Sequence, residues 1–291
     1  MNIYIISYKR PECVSCRVMS ALGFKVIVVI DNESDDKEAY AEMCEKYGAE
    51  LEVFDIKEER MKYDFVSLPN KVQRAAGMAR NAVHDIARKR GEEIYCVMDD
   101  DTIAFEIKEG GRYERMATAA DVKEAFTKVE RFMRAKRIGL FGITQTGDYI
   151  GMMTNAWVPK VMNCTFVQTK YLYKGERGLQ NNDTSQFVSV WSRGLMTGSL
   201  ANGVVLKQRP SGKYKDGLTE MYAAIKLLNK ALIPVMQFPS AIIACKQIRN
   251  GGRMHHKIEY KYLRPMICKS DLRDNIAWDT YPEDVCFTLA R

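Results

Sequence analysis

Paired cysteines, long apolar runs and histidines are all scarce in this chain of 291 residues. Eight cysteines are scattered along it, and Cys13 and Cys16 form a C-x-x-C motif with no second pair to complete a zinc site. We therefore expect reduced thiols rather than a metal or redox centre. No run reaches the ~18 apolar residues that a membrane span needs. Met1 and Asn2 lead directly into a strand, so we expect no signal peptide and a cytoplasmic location.

Short apolar strands alternate with amphipathic helices in the first third of the chain. Hydrophobic residues make up 46% of the sequence, enough to bury a large core. The predicted strands are residues 3–7, 25–30, 50–54 and 94–98, and the predicted helices are residues 36–47, closed by Gly48, and 77–89, closed by Gly91. Strands that alternate with helices in this way predict an α/β fold with a doubly wound parallel sheet.

Three consecutive carboxylates, Asp99, Asp100 and Asp101, directly follow the predicted strand 94–98. Ligands of open α/β sheets bind beyond the carboxyl ends of the strands, and carboxylates suit hard divalent cations such as Mg²⁺ or Mn²⁺. On an extended segment Asp99 and Asp101 would point the same way, and Asp100 would face away or exchange roles with a neighbour. The cluster therefore indicates a cation site, with a solvated acidic turn as the alternative.

The formal net charge of +7 conceals an uneven distribution. Residues 1–105 hold 15 Lys and Arg against 20 Asp and Glu, whereas residues 131–265 hold 21 basic and only 6 acidic side chains. A basic surface attracts polyanions and raises their rate of encounter. The second half therefore favours a polyanionic partner, although an ordinary solvated surface is the other interpretation.

Four segments taken together resemble the nucleotide-sugar-binding half of GT-A glycosyltransferases. The first strand ends in Ser-Tyr-Lys-Arg-Pro at residues 7–11, and the second ends in Asp-Asn-Glu-Ser at residues 31–34. A Gly-x-Ala-Arg-Asn-Ala segment follows at residues 77–82, and Met-Asp-Asp-Asp lies at residues 98–101. More narrowly, the Tyr-Lys-Arg-Pro and Met-Asp-Asp-Asp segments resemble the TET-associated glycosyltransferases, phage enzymes that decorate hydroxymethylated pyrimidines in DNA.

The resemblance implies roles for the donor half. A UDP-sugar would be the donor, with Mn²⁺ or Mg²⁺ on its diphosphate. Asp101 would be the direct metal ligand, and Asp99 would serve the ribose or a position next to the metal. Asp31 could instead cap a helix, and Arg80 could be a surface charge. The candidate donor-binding residues are Ser7, Tyr8, Lys9, Arg10, Asp31, Asn32, Arg80, Asp99 and Asp100.

Two further candidates lie in the second half. In GT-A enzymes an acid that opens a helix contacts the acceptor and, in inverting members, acts as the general base. Asp183, the only acid between Glu176 and Asp216, resembles that residue, with a helix N-cap as the alternative, and residues 187–191 look like a strand. A late histidine from a C-terminal loop often joins the metal, which indicates His255 or His256, unless these two form a solvated pair. We expect His84 to be structural.

Basic residues interleaved with aromatics indicate a nucleic-acid acceptor. The candidate DNA-binding residues are Lys207, Arg209, Lys213, Lys215 and Arg253. We therefore predict a donor half over residues 1–105 and an acceptor half over residues 106–291 in one compact unit, acting on hydroxymethyl pyrimidines in DNA in the cytoplasm of a phage-infected cell. The alternatives are a small sugar or protein acceptor, a non-catalytic nucleic-acid-binding module, and a nucleotidyltransferase. The last normally has a Gly-rich, Lys-bearing loop after its first strand, which this chain lacks.

Overall fold

A sheet of eight strands runs through the centre of the molecule, in the order β3-β2-β1-β4-β9-β7-β10-β8. The computed structural model describes residues 1–34, 36–62, 75–136, 138–148, 157–172, 177–178, 181–209, 227–247 and 253–263. Most neighbouring strands in the large sheet are parallel, whereas β9 runs antiparallel to β4 and β7 and β8 runs antiparallel to β10. The predicted α/β class with a mainly parallel sheet is confirmed.

The first four strands form the parallel part of this sheet that the sequence predicts. Their buried positions are mostly β-branched or aliphatic, which suits strands covered on both faces. The strands are β1 (Asn2–Ile6), β2 (Lys25–Asp31), β3 (Glu50–Phe54) and β4 (Ile94–Asp99), and the helices are α1 (Val14–Ala21), α2 (Lys37–Tyr47), α3 (Ile56–Lys62) and α4 (Ala76–Lys89). Gly48 and Gly91 have φ values of 65° and 71° after α2 and α4, so both predicted helix ends are confirmed.

The rest of the chain completes the large sheet and adds two small ones. A three-stranded sheet has the order β11-β5-β6, and β12 pairs with β13 in a ribbon. The strands are β5 (Thr102–Glu109), β6 (Arg112–Met116), β7 (Ile138–Ile143), β8 (Trp157–Val158), β9 (Cys164–Gln168), β10 (Met196–Leu200), β11 (Gly203–Gln208), β12 (Ile242–Gln247) and β13 (Arg253–Ile258), and the helices are α5 (Ala119–Ala135), α6 (Asn182–Trp191) and α7 (Leu227–Gln237). Single 3₁₀ turns lie at Thr169–Tyr171 and Tyr260–Tyr262.

Two apolar clusters cover the two faces of the large sheet. One packs α4 and α6 against the sheet, and the other packs α1, α2 and α5 against its opposite face. A capping box in which Thr118 and Asp121 bond each other begins α5. The predicted division at residue 105 falls inside β5, and both predicted halves contribute strands to the one large sheet.

The prediction of a strand at residues 187–191 is wrong, because this segment is the second half of α6. All five residues are buried. A helix buried on every side carries the same continuous apolar run as a buried strand, so periodicity cannot separate the two. Within the described part of the chain, no helix combines the length and apolar character needed to cross a membrane.

Candidate active site

The three aspartates form a turn, with Asp99 ending β4 and Asp100 and Asp101 leading into β5. The expectation of an extended segment is therefore wrong. Asp100 is buried, and its carboxylate accepts hydrogen bonds from Ser7 Oγ at 2.6 Å and Arg10 Nη1 at 2.9 Å. Because the chain bends here, the carboxylates do not alternate across a pleat as they would on a strand. We call residues 99–101 the acidic turn.

Ser15 in the first turn of α1 holds the backbone of the acidic turn. Its Oγ donates to the carbonyl of Asp99 at 2.6 Å and accepts from the backbone N–H of Thr102 at 2.8 Å. The backbone N–H of Ser15 donates to the carbonyl of Asp100 at 3.1 Å. Ser15 is fully buried, and no motif in the sequence identifies it. Its neighbours Cys13 and Cys16 are free thiols whose pKa values are raised by burial.

Burial, together with the neighbouring negative charges, raises the pKa of two of the three carboxyl groups. Burial, followed by the charges of Asp99 and Asp100, raises the pKa of Asp101 to about 7. Burial also raises the pKa of Asp100, against the opposing effect of Arg10. A cation would relieve this repulsion, and oxygen ligands suit Mg²⁺ or Mn²⁺. Among the described residues no three His, Cys, Asp or Glu side chains form a ready metal cage. The acidic turn still fits Mg²⁺, which usually takes only one or two carboxylates and completes its shell with phosphates and water.

The loop after β1 packs against the acidic turn. Ser7 Oγ lies 2.7 Å from the hydroxyl of Tyr40, and the backbone N–H of Arg10 donates to that hydroxyl at 2.9 Å. Tyr40, which the sequence reasoning missed, is fully buried, and burial raises its pKa. Lys9 has a φ of 54°, and its ammonium group lies 5.3 Å from the ring centroid of Tyr8. Ser7 and Arg10 thus meet Asp100, as one shared donor site requires.

Asp31 and Asn32 lie at the carboxyl end of β2. Asp31 is buried, and its Oδ1 accepts from the backbone N–H of Glu33 at 3.0 Å. The alternative that Asp31 caps the following helix is wrong, because Asp36 occupies the N-cap position of α2. Asn32 donates to Asp55 at 3.0 Å and accepts from the backbone N–H of Ile56 at 3.1 Å. The Asn32 side chain therefore fixes the start of α3.

Arg80 joins the acidic turn to α6. Its Nη2 donates to Asp99 Oδ1 at 2.7 Å, and its Nη1 lies 3.4 Å from Asn182 Oδ1. The Arg80 side chain is only 12% exposed, so the alternative of a surface charge is wrong. A guanidinium group is suited to such a bridge because its donors form a fixed planar fork.

Asp183 lies in the first turn of α6, next to Asn182. Asp183 is the only one of the ten residues of α6 that is not buried. Asn181, in a left-handed conformation, occupies the N-cap position, so the alternative that Asp183 is the cap residue is wrong. Burial raises the pKa of Asp148, Lys160 lowers it, and the charge of Asp183 adds a smaller increase. Asp148 is therefore a second carboxyl group near Asp183, and the sequence reasoning missed it.

His255 and His256 lie on β13 and not on a loop, which corrects the expectation. Their rings are stacked, with centroids 4.6 Å apart. His256 Nε2 lies 3.5 Å from Thr184 Oγ1, beside Asp183 in the chain. Burial, helped by the charges of His255 and two lysines, lowers the pKa of His256 to about 4. His256 is therefore neutral near pH 7, and its role as a metal ligand stays a prediction.

Two of the five predicted DNA-binding residues, Lys213 and Lys215, lie outside the described residues. Lys207 on β11 pairs with Glu106 at 2.8 Å, and Arg209 pairs with Glu12 at 3.1 Å. The backbone N–H of Arg209 donates to the carbonyl of Asp101 at 2.9 Å, and Gln208 Nε2 donates to Asp101 Oδ1 at 3.0 Å. The end of β11 therefore touches the acidic turn. Arg253 begins β13, and its side chain lies outside the description.

A mainly parallel α/β sheet with an arginine-bridged acidic turn beyond its strand ends belongs to the class of α/β folds that bind ligands at this edge. Residues 1–213 match the TET-Associated Glycosyltransferase family, and the chain belongs to that family. It is therefore a glycosyltransferase. A comparison with curated proteins finds no match. Among solved structures the chain is similar to the apo form of mouse xyloside xylosyltransferase 1, with 10% identity, a TM-score of 0.33, and coverage of 58% of this chain and 68% of that one.

Proposed function

We propose that this glycosyltransferase moves a sugar from a UDP-sugar to the hydroxymethyl group of a modified pyrimidine in DNA, with Mn²⁺ or Mg²⁺ at the acidic turn. One observation carries the proposal. The guanidinium group of Arg80 contacts both Asp99 and Asn182, the residue before Asp183, and this supports assigning the predicted metal-binding turn and the predicted base to one site. The family name supports a DNA substrate, and the basic second half suits a polyanion.

On the donor side, the loop after β1 and the end of β2 would bind the uridine. Asp31 would contact the uracil or ribose, and the side chain of Asn32, bonded to Asp55 and to the backbone of Ile56, would hold the chain beside it. Lys9 and Arg80 would balance the charge of the diphosphate. Asp99 and Asp100, each held by an arginine, would fix the position of the turn against which the donor lies.

Asp101 and Asp99 would hold the metal, with His255 or His256 as a possible added ligand. Such an ion acts as a Lewis acid that neutralises the diphosphate leaving group. The neutral state of His256 leaves its imidazole nitrogen able to bind a cation. Its described neighbour is Thr184 on α6, so a role on the acceptor side fits its position as well as a role at the metal.

Asp183 would act on the acceptor. In an inverting reaction its carboxylate takes the proton of the hydroxymethyl group while that oxygen forms a bond to the anomeric carbon of the sugar. The bond from this carbon to the β-phosphate oxygen breaks, and UDP leaves with the electron pair. A positioned general base of this kind contributes roughly 10²–10⁴-fold to the rate. For a base inside a duplex, the nucleotide would also have to be flipped out of the stack.

The experiment that tests this proposal is mass spectrometry of DNA after incubation with the protein, Mn²⁺ and a panel of UDP-sugars. Hydroxymethylated DNA should gain one hexose, pentose or amino sugar per reactive base. Matched DNA with unmodified pyrimidines should gain nothing, because it lacks the attacking hydroxyl group, and EDTA should stop the reaction. If every UDP-sugar leaves hydroxymethylated DNA unchanged while a small sugar or a protein is glycosylated, the DNA proposal is wrong.

A further inference from the structure

A buried row of three polar side chains joins β4, α4 and α6 beneath the candidate site. The Nδ1 atom of His84, on α4, lies 2.7 Å from the hydroxyl oxygen of Tyr95 on β4. Its Nε2 atom lies 2.8 Å from the amide nitrogen Nε2 of Gln186 on α6. All three residues are at least nine-tenths buried. Ionisable and amide groups are expensive to bury, so this row is costly unless all its hydrogen bonds are kept. We call Tyr95, His84 and Gln186 the inner row.

The inner row repeats the arrangement of the site at a fixed spacing. Asp99, Arg80 and Asn182, which we call the outer row, come from the same three elements in the same order, strand, α4 and α6. Each inner residue lies four positions from its outer counterpart. Four residues advance a helix by about 6 Å, or one turn. The two rows are therefore stacked, one turn apart on both helices.

The central side chains of the two rows, Arg80 and His84, differ in length for a geometric reason. Four residues advance a strand by about 13 Å, twice the advance of a helix. The two rows are therefore farther apart at β4 than at the two helices. The longer side chain, Arg80, serves the outer row, and the shorter imidazole serves the inner row. From the outer row to the inner row the residue number rises by four on α4 and by four on α6. The two helices therefore run side by side in the same direction where they meet. The inner row thus fixes the register between the two helices that carry Arg80 and Asp183.

We propose that His84 is a positioning residue of this glycosyltransferase, which holds the first turn of α6 against α4 through Gln186 and Tyr95 and so sets the place of Asn182 and Asp183. The proposal rests on the proposed role of Asp183. An amide nitrogen can only donate, so Nε2 of His84 accepts from Gln186, and the ring proton lies on Nδ1 and is donated to Tyr95. A neutral imidazole is the one side chain here that accepts from α6 and donates to β4 at once.

The test uses variants of His84 and measures three quantities: thermal unfolding, transfer to hydroxymethylated DNA, and hydrogen exchange of the α6 backbone by mass spectrometry. His84→Phe removes both bonds and keeps an aromatic ring. Transfer should fall roughly ten- to hundredfold, since a small displacement of a catalytic group costs about that much. Donor hydrolysis without acceptor should change little, and amides 182–186 should exchange faster. His84→Gln retains one donor and one acceptor and should recover most of the transfer rate.

Tyr4→Phe provides the matched control. Tyr4 is fully buried on the neighbouring strand, its ring centroid lies 5.6 Å from that of Tyr95, and its hydroxyl donates to Glu92 instead of to His84. Tyr4→Phe and Tyr95→Phe remove the same hydroxyl group. Only Tyr95→Phe should slow transfer and loosen the start of α6, whereas both variants should unfold at lower temperature.

A double-mutant cycle separates positioning from general stability. If His84 acts by placing Asp183, most of the loss caused by His84→Phe should disappear in an Asp183→Asn background. The proposal would be overturned if the transfer losses caused by His84→Phe and Asp183→Asn multiply in the double variant. It would also be overturned if Tyr4→Phe causes the same loss of transfer as His84→Phe. Should Asp183→Asn itself retain the wild-type rate, the proposed role of Asp183 fails, and hydrogen exchange then decides about His84. Equal exchange of amides 182–186 in His84→Phe and Tyr4→Phe would show that the inner row does not position α6.

Discussion

The proposed donor and acceptor sides of the candidate site differ in how each side chain reaches its place. On the donor side, Ser7 follows β1, Asp31 ends β2 and Asp99 ends β4, so three neighbouring parallel strands deliver these groups to one edge. On the acceptor side, Asp183 and His256 come from the first turn of a helix and from a separate ribbon. Strand ends position donor groups locally, whereas acceptor groups depend on packing between distant segments. Changes to the two sides should therefore separate donor chemistry from transfer.

The largest expected effect comes from the acidic turn. Asp101→Ala should abolish both Mn²⁺-dependent hydrolysis of the donor and transfer, because the cation and the diphosphate would lose their main carboxylate. Steady-state assays with and without acceptor measure the two reactions. Asp85→Ala is the matched control, because the Asp85 carboxylate pairs with Lys62 and Arg88, and this variant should turn over like the wild type. An Asp101→Ala variant that keeps near wild-type turnover and sensitivity to EDTA would show that the metal binds elsewhere.

Asp183→Asn should slow transfer to the acceptor without weakening donor binding. We expect transfer to fall by roughly 10²–10⁴-fold, the contribution of a general base, while donor affinity stays close to that of the wild type. Calorimetric titration with UDP and Mn²⁺ measures the donor affinity, and single-turnover kinetics measure transfer. If donor affinity falls as much as transfer, Asp183 supports the structure of α6 instead, and a retaining mechanism becomes the better explanation.

Charge reversal on the basic surface should weaken DNA binding and leave the donor side intact. On duplex DNA the slope of log K against log salt is about −0.9 per phosphate neutralised, so four lost contacts would flatten it by up to about 3.6. Fluorescence anisotropy at several salt concentrations measures this slope. The variant changes four residues to Glu, namely Lys207, Arg209, Lys213 and Lys215.

The control for that variant reverses four lysines of the donor half, namely Lys25, Lys37, Lys46 and Lys57. Both variants change the net charge equally, so only the position of the charges differs. The control should bind DNA with the wild-type salt slope, and donor hydrolysis should persist in both. Acceptor binding that does not depend on salt, or identical slopes for the two variants, would contradict a DNA-binding role for residues 207–215.

The smallest expected effect is on stability. The pKa of Asp101 is about 7 in the folded protein, well above its value in an unfolded chain, so the folded state binds the proton more tightly. The metal-free protein should therefore lose stability as pH rises from about 4 to about 7. Asp101→Asn removes this loss. Thermal unfolding should show a higher melting temperature than the wild type at pH 8 and a shrinking difference toward pH 4; a constant difference would rule out a raised pKa for Asp101.

Much of the donor half could be predicted from the sequence because its signals are local. Apolar β-branched runs define β1 to β4, and glycines with positive φ end α2 and α4. Polar residues directly after such strands then mark the ligand-binding edge of the sheet. The orientation of the aspartates was not predictable, since it depends on Ser15, which reaches the turn from a helix more than 80 residues earlier in the chain.

The acceptor half was harder to predict because its contacts are distant in sequence. The apolar run in α6 looks like a strand, and only its burial between α4 and the sheet shows why a helix can carry it. Tyr40, Asp148 and Gln186 are ordinary residues of their segments, and no spacing rule distinguishes them. Their significance comes from the side chains that folding brings to them, as when His84 meets Gln186 across 102 positions.

The stacked inner and outer rows have a consequence for how this protein can change over evolutionary time. A substitution at position 84 leaves position 186 with a buried amide that has lost its partner, so the two positions should change together among relatives. Positions 80 and 182 should do the same. Because the pairs lie one helical turn apart on both helices, inserting or deleting a single residue between positions 182 and 186 would prevent the two pairs from forming together. Lineages that change the acceptor should therefore vary residues around Asp183 while the spacing between positions 182 and 186 stays constant.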